Sequence, residues 1–366
     1  MNYWEKRAAQ KQALIDAMDN KAIRDIFASY NRAIDQLDTD IEKIISTYTR
    51  KTGLTPQEAR AFLNEGVTPI IREMLTGRAY GITDPVKRQQ FITLLNTDAY
   101  RARITRIQAI QLDTRMTMYQ VADMQIPDIK QHLKSAADLT YSQTMYDVQK
   151  VSGIGFKMDG VADIESLLKS RWSGNNFSNR VWNNTGVVAD RMKSVLFEQA
   201  TIGKLSDASV RELRGYVDLE KWRKQLTSKF KTEQQYAKYA TNGLLRTETA
   251  YICNEMNAQV YDEAGVKKYV FIAVLDSRTS EKCADHDGKE YLLTEKEVGV
   301  NFPPLHPRCR STTGAVIDTG VREGLTRRAR DANGKSTLVP RDMWYAEWKR
   351  WQEAGAPADI NAWRAR

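Results

Sequence analysis

The chain has 366 residues, of which 42% are hydrophobic and 28% charged, enough for two or three domains with real cores. No apolar run reaches bilayer-spanning length and the start, Met1-Asn2-Tyr3-Trp4-Glu5-Lys6-Arg7, has no signal-peptide core, so a soluble, cytosol-made protein with no membrane partner is expected. Three cysteines argue against a disulfide framework, and a formal net charge of +9 fits association with nucleic acid or another polyanion as well as it fits basic residues coating helices.

The chain reads as mainly α, with a small β unit near its C-terminus. Residues 1–150 are expected to form a helical N-terminal region. Ile23, Phe27, Tyr30, Ile34, Leu37, Ile41, Ile44 and Tyr48 step in fours and threes, a seam better suited to the core stripe of a bundle within one chain than to a coiled coil between chains. Lys51-Thr52-Gly53 ends that helix. Thr55-Pro56-Gln57-Glu58 starts the next, with Thr55 as N-cap and Glu58 reaching back. Asp84-Pro85 opens a third, which the pattern carries through Tyr100, Ile104 and Ile107 toward Met124. Ile126-Pro127-Asp128 is expected to interrupt it, and His132, in the helix that follows, reads as a surface or core-edge residue.

Val151 to Gly160 is glycine-rich and reads as a linker, followed by a second helical region over 151–265 that ends at Gly265. Cys253 lies in this region and reads as a buried small hydrophobe. The character then changes. Tyr269 to Leu275, Lys289 to Leu293 and Ser311 to Ile317 are strand candidates, giving a small β unit over 266–320. Residues 321–366 form a basic, Trp-containing tail in which Gly334-Lys335-Ser336 and Pro340 suggest loop. Trp344, Trp348 and Trp351 mark one helix face, for which packing on the main body is favoured over a platform for nucleic acid.

The most informative residues are Cys283-x2-His286 and His306-x2-Cys309, two mirrored knuckles that use two of the three cysteines and two of the three histidines. Two such knuckles can complete a tetrahedral site, so a structural Zn2+ held by Cys283, His286, His306 and Cys309 is the preferred reading. A metal-free cluster of half-buried thiols and hydrogen-bonded imidazoles comes next, and a catalytic, nuclease-like site last. Asp285 and Asp287 flank His286, with Asp287-Gly288 reading as a tight turn. Arg308 and Arg310 bracket Cys309, suited to DNA phosphate or to pairing with Asp285 or Asp287.

The string around the knuckles, Leu275-Asp276-Ser277-Arg278-Thr279-Ser280-Glu281-Lys282-Cys283, Asp287-Gly288-Lys289 and Pro303-Pro304-Leu305-His306-Pro307-Arg308-Cys309-Arg310-Ser311, resembles the C-terminal region of tailed-phage minor head proteins, the phage Mu F-like head-morphogenesis family. Arg246-Thr247-Glu248 with Ala250 and Tyr261 is similar to that family's helix signature, and Trp172, Phe177-Ser178, Arg180 and Asn183 to an earlier one. The likeness extends from about Ile164 to Asp318. It implies a non-enzymatic minor capsid protein, without catalytic residues, that associates with the portal protein and with procapsid or scaffold components. The location implied is the head interior of the virion, with the host cytoplasm during assembly. Together with the net charge it implies non-specific contact with double-stranded DNA, for which Arg327, Arg328 and Arg330 are the candidate residues. The alternative is a metal-dependent nuclease or a toxin-related enzyme built on the same domain.

Overall fold

The computed structural model describes residues 3–45, 55–97, 104–153, 155, 160–161, 164–201, 219–317, 326–340 and 343–365; among these, the side chains of 3–9, 56, 197–201, 219 and 326–328 lie outside the description. Most described residues are helical. The elements are α1 (Tyr3–Ile45), α2 (Pro56–Leu63), α3 (Pro69–Tyr80), α4 (Pro85–Leu95), α5 (Arg106–Ser152), α6 (Ile164–Lys169), α7 (Phe177–Thr201) and α8 (Leu219–Glu263), then β1 (Lys268–Ile272), α9 (Glu281–His286), β2 (Glu290–Leu292), β3 (Thr312–Ala315), β4 (Thr326–Arg330), β5 (Ser336–Pro340), α10 (Tyr345–Glu353) and α11 (Ile360–Arg364). The chain divides into two compact units. One comprises Met1–Ala22, Lys130–Phe177 and Gly243–Arg366, the other Ile23–Ile129 and Ser178–Asn242.

Among the described residues, the regular elements of the second of these units are all helices. The seam on α1 is its buried stripe: Ile23, Tyr30, Ile34, Leu37, Ile41 and Ile44 are all inaccessible. Phe27 is only partly covered and carries the Lys238 ammonium over its ring, while Ile26 takes the buried position beside it. Tyr48 and the expected stop at Lys51-Thr52-Gly53 lie outside the described residues. The capping box at α2 is formed, with the Thr55 amide donating to Glu58 Oε2 (2.7 Å) and the Glu58 amide to Thr55 Oγ1 (3.2 Å). Asp84 caps α4 through the Lys87 amide at 2.8 Å.

Two expectations about α4 and α5 are corrected. The helix opened by Pro85 does not run on to Met124: α4 stops at Leu95, and α5 starts at Arg106 behind a second capping box. There the Thr105 amide donates to Gln108 Oε1 (2.9 Å) and the Gln108 amide to Thr105 Oγ1 (3.3 Å). Nor does Pro127 interrupt the chain, since α5 passes straight through it. Pro127 sits on an exposed face, where water can satisfy the carbonyl its ring leaves unbonded, while Gln125, Ile129 and Leu133 hold the opposite face in the interior.

A buried charge cluster joins three helices of this unit. Arg78 of α3 bridges Asp40 of α1 and Asp113 of α5, the latter through Nε at 3.1 Å, and Lys43 reaches Asp40 at 3.3 Å. Asp113 Oδ2 has no hydrogen-bond partner, and both carboxylates are almost wholly buried. Burial pushes the Asp113 carboxyl up to about 6; the Arg78 charge opposes this and the Asp40 charge adds to it.

The other unit holds the strands. β1 is central in a three-stranded antiparallel sheet of order β2-β1-β3, with Tyr269 opposite Tyr291 on one side and Ala315 on the other. One face of α8 is tied to β3 by polar residues at helical spacing. Asn254 accepts from the Thr312 hydroxyl (3.2 Å), the Asn257 amide nitrogen donates to the same hydroxyl (3.4 Å), and the Tyr261 hydroxyl donates to the Thr313 carbonyl (3.0 Å). His132 is not at the surface: it is buried, with Nε2 at 2.8 Å from Asp19 Oδ1 and 3.2 Å from the Thr249 hydroxyl. Cys253 is buried beside Ile15 and Ala136, where burial pushes its thiol up to about 11.

The tail is more ordered than its composition suggests. Gly334 and Lys335 lie in the turn of an antiparallel hairpin, β4 with β5, which pairs Arg328 with Leu338 and Arg330 with Ser336; Ser336 and Pro340, expected as loop, are strand residues. Trp348 and Trp351 of α10 are buried with Leu275, Ala329, Val339 and Met343, and the Trp348 indole donates to the Arg330 carbonyl at 2.9 Å. Trp348 and Trp351 of the tryptophan stripe are therefore core, and Trp344 is partly covered.

The Asp113 environment generates a pH prediction. Its folded value lies above the ordinary carboxylate value of 3.8, so the folded form binds this proton more tightly than the unfolded form and stability falls as pH rises from about 4 through 6. Asp113→Asn should abolish that component, so the loss of stability between pH 5 and pH 7 should be smaller in the variant than in wild type. Urea unfolding at pH 5 and pH 7 for both proteins measures it; an equal loss in both would refute the assignment.

Candidate metal centre

β1 carries the chain into Leu275-Asp276, where a turn precedes α9. The Ser280 hydroxyl caps this short helix by accepting from the Cys283 amide at 3.2 Å, which sets the Cys283 side chain inward. The second knuckle is a loop. Arg308 adopts a left-handed φ of 61°, and the Cys309 amide returns to the His306 carbonyl at 3.1 Å. The turn packs directly on α8: the Arg308 amide donates to Thr247 Oγ1 at 2.8 Å, and a Cβ at Gly243 would lie 2.8 Å from the Arg308 side chain. Gly243 thus leaves room for the guanidinium.

Among the described residues, Cys283, His306 and Cys309 form a group of potential metal ligands whose donor atoms all lie within 4.8 Å of one another. Cys283 Sγ is 3.2 Å from His306 Nε2 and 3.6 Å from Cys309 Sγ. Donors bound to one tetrahedral zinc ion lie roughly 3.5–3.8 Å apart, given bonds of ~2.3 Å to sulfur and ~2.0 Å to nitrogen. The two spacings from Cys283 are close to these values, and His306 Nε2 and Cys309 Sγ lie within 4.8 Å of each other. His306 Nδ1 is 2.9 Å from the Pro307 carbonyl, which can only accept, so Nδ1 donates there and Nε2 is the ring atom that faces the cysteines. Ser280 Oγ lies 2.9 Å from the same Nε2.

The sulfurs are unequal. Cys309 is pulled down to about 6, first by a hydrogen bond from the Cys283 thiol and then by backbone hydrogen bonds at Leu305 and Ser311, with burial opposing. Cys283 moves up, because its proton is engaged by Cys309 and because it is buried. The two sulfurs share one hydrogen bond, which drives their pKa values in opposite directions. A thiolate and a bare imidazole nitrogen are the forms in which these groups bind metal.

His286 is placed elsewhere. Its Nδ1 lies 2.6 Å from the Tyr291 hydroxyl, and its ring packs at 5.5 Å from Phe271 and 5.9 Å from Tyr291. Partial burial, aided by Lys289 and Lys282, lowers its pKa. The structure thus brings three of the four sequence-selected residues together and sets the fourth against an aromatic pair. Asp287 is a structural anchor: its carboxylate accepts from the Ala273 amide (2.7 Å) and the Tyr345 amide (2.8 Å). Gly288 follows at φ 79°, where a Cβ would strike the Trp344 ring at 2.4 Å. Arg310 pairs bidentately with Asp276 at 2.6 Å and 2.6 Å rather than with Asp285 or Asp287. Burial raises the Asp276 carboxyl, but the Arg310 hydrogen bonds and charge outweigh it and hold the group below its ordinary value. The side chains of Arg327 and Arg328 lie outside the described residues; Arg330 is exposed, and its guanidinium donates to the Gly334 carbonyl.

Residues 206–314 match the family model described as Phage Mu protein F like protein. This stretch is similar to that family. It contains α8, β1, α9, β2, all but the last residue of β3 and all three clustered ligands. Trp172, Arg180 and Asn183, which the resemblance also included, precede the matched residues. No curated protein and no solved structure matches the chain.

The helix signature that resembles this family's has defined contacts. Arg246 hydrogen-bonds Asn20 at 2.7 Å and Asp16 at 3.3 Å. Thr247 receives the Arg308 amide. Glu248 accepts from the Trp172 indole at 3.4 Å, while that indole stacks on Tyr251 at 5.1 Å. Sequence reasoning missed Thr247 and Ser280 as partners of the knuckles and Tyr291 as the partner of His286. A hydroxyl at a helix start was the available signal for Ser280, but a helix threonine such as Thr247 carries no mark of what it will meet 61 residues later.

Removing the Thr247 hydroxyl tests the seating of the second knuckle. Thr247→Val leaves the Arg308 amide without its acceptor and should lower stability by about 1–3 kcal/mol, with Thr247→Ser close to wild type. Thermal unfolding of the three proteins decides; a wild-type midpoint for the valine variant would contradict this role.

Proposed function

We propose that the chain is a minor head protein of a tailed phage that works by binding during head assembly. The observation that carries this reading is the Phage Mu F-like match over residues 206–314, which coincides with the sheet and its thiol–imidazole cluster. In this reading the protein associates with the portal and with procapsid or scaffold components, resides in the head interior and contacts packaged double-stranded DNA without sequence preference. Support for the DNA contact is the net charge of +9 and the run containing Arg327, Arg328 and Arg330. No helix among the described residues is long and apolar enough to cross a membrane.

The cluster's part is to hold one structural zinc ion through Cys283, His306 and Cys309. Two sulfurs and an imidazole suit zinc and disfavour the hard magnesium ion used in most phosphoryl-transfer chemistry, which favours a staple over a nuclease centre. The cysteines are 2% and 3% exposed, so an ion here would cross-link α9 to the 306–309 loop from inside the fold.

Three measurements test the reading. Procapsids assembled with and without portal should contain the protein only when portal is present; equal incorporation removes the portal association. Elemental analysis of protein purified without added metal should find about one zinc per chain, and a plasmid nicking assay with magnesium, manganese or zinc should show no cleavage. Cleavage that His306→Ala abolishes in a folded protein would make it an enzyme.

For DNA, binding should weaken steeply with salt. Replacing Arg327, Arg328 and Arg330 together should reduce the slope of log affinity against log salt by about 3, close to one for each phosphate that the protein no longer neutralises. A flat salt response, or an unchanged slope in the triple variant, would remove those arginines from the interface.

A further inference from the structure

We propose that the zinc centre has three protein ligands, Cys283, His306 and Cys309, and a fourth position filled by an exchangeable monodentate donor from outside the chain, water at rest. The proposal rests on the zinc reading above and departs from the closed four-ligand site that the mirrored knuckles suggest. Three observations carry it. The donor atoms of these three residues alone come within 4.8 Å of one another among the described residues. His286, the residue that spacing would select as fourth ligand, is engaged through Nδ1 with Tyr291 at 2.6 Å and packed against Phe271. Both cysteines face the core, whereas His306 and Ser280 are only partly covered and Pro307 is exposed, so the side of the cluster away from the sulfurs is the side that solvent reaches.

Zinc completes a coordination shell of four. Where a protein provides three donors, the remaining one comes from solvent or from another molecule. The Ser280 hydroxyl, 2.9 Å from His306 Nε2, lies on this partly covered side and would stabilise an oxygen or nitrogen donor there by hydrogen bonding. Three protein bonds still join α9 to the 306–309 loop, so the ion keeps its stapling role. The open position adds the capacity to accept one nitrogen or sulfur donor, such as an imidazole or a small thiol.

The experiment is cobalt substitution in the full chain, read by visible absorption. Wild type should bind about one cobalt ion with sulfur-to-metal charge-transfer bands and the d–d bands of a tetrahedral site. Excess imidazole should shift the d–d bands while metal stays bound. His286→Ala, with His286→Gln as a variant that keeps a polar group toward Tyr291, should bind cobalt with affinity within ~3-fold of wild type and an unchanged spectrum. His306→Ala should lose more than the ~10–100-fold that removal of a ligand's hydrogen-bonding partner typically costs. If both His286 variants lose affinity as His306→Ala does, or if imidazole leaves the bands unmoved, the site is closed, and the open position is overturned while zinc binding stands. If wild type takes up no cobalt, the zinc reading fails with it.

Discussion

The contact of two sulfurs and one imidazole inside the β unit is the constraint on which its architecture depends. Strands of five, three and four residues cannot enclose much apolar surface, and the cluster beneath this sheet is Phe271, Ala273, Cys283, Leu305 and Cys309, with Tyr291 at its edge. Two of its five buried residues are therefore the thiols themselves. Segments 281–286 and 306–309 are held by side chains that would repel as two thiolates and cohere as thiol and thiolate or around a cation. Whatever occupies the cluster, its charge state and the seating of both knuckles are one problem.

That seating is distributed over α8 in a way that gives physical content to the family signature. Thr247 takes the knuckle amide, Asn254 and Asn257 take Thr312 at the edge of β3, and Tyr261 takes Thr313 further along the same face. These are hydrogen bonds to the Arg308 amide, the Thr312 hydroxyl and the Thr313 carbonyl, and burying such groups without a partner would be costly. A polar stripe on a long helix thus substitutes for the missing sheet neighbours. Thr247 and Tyr261, two residues of the helix signature similar to the Phage Mu F-like family, thereby have structural partners in the loop and in β3.

Legibility in the sequence followed the range of the interaction. Local rules held where a signal and its target lie within a turn or two: the Thr55–Glu58 capping box, the Asp84 cap and the buried seam from Ile23 to Ile44. The start of α5 carried the same kind of signal in Thr105 and Gln108, and the apolar pattern running across it masked the box. Pro127 misled because its helix-breaking tendency depends on whether water can reach the freed carbonyl, which only the exposed face of α5 decides. His132 could not be placed from its neighbours, since its partner Asp19 lies 113 residues earlier. The β4–β5 hairpin was hidden because Thr-Arg-Arg-Ala-Arg offers one apolar residue, Ala329, and that residue is the one its core uses.

The two knuckles show the same limit within the candidate site itself. In sequence they are mirror images, each a cysteine and a histidine three apart. In space they differ because their backbones differ. Cys283 and His286 stand on α9, where a helical repeat sets successive donors along a rod, and Phe271 and Tyr291 offer the outer one an aromatic wall and a hydroxyl. His306 and Cys309 stand on a loop that the left-handed Arg308 folds back on itself, so both donors swing to one point, and Thr247 fixes the turn from below. Spacing reports which residues are able to converge. Backbone curvature decides which of them do, and here it selects the pair on the loop together with the one helix cysteine that the Ser280 cap turns inward.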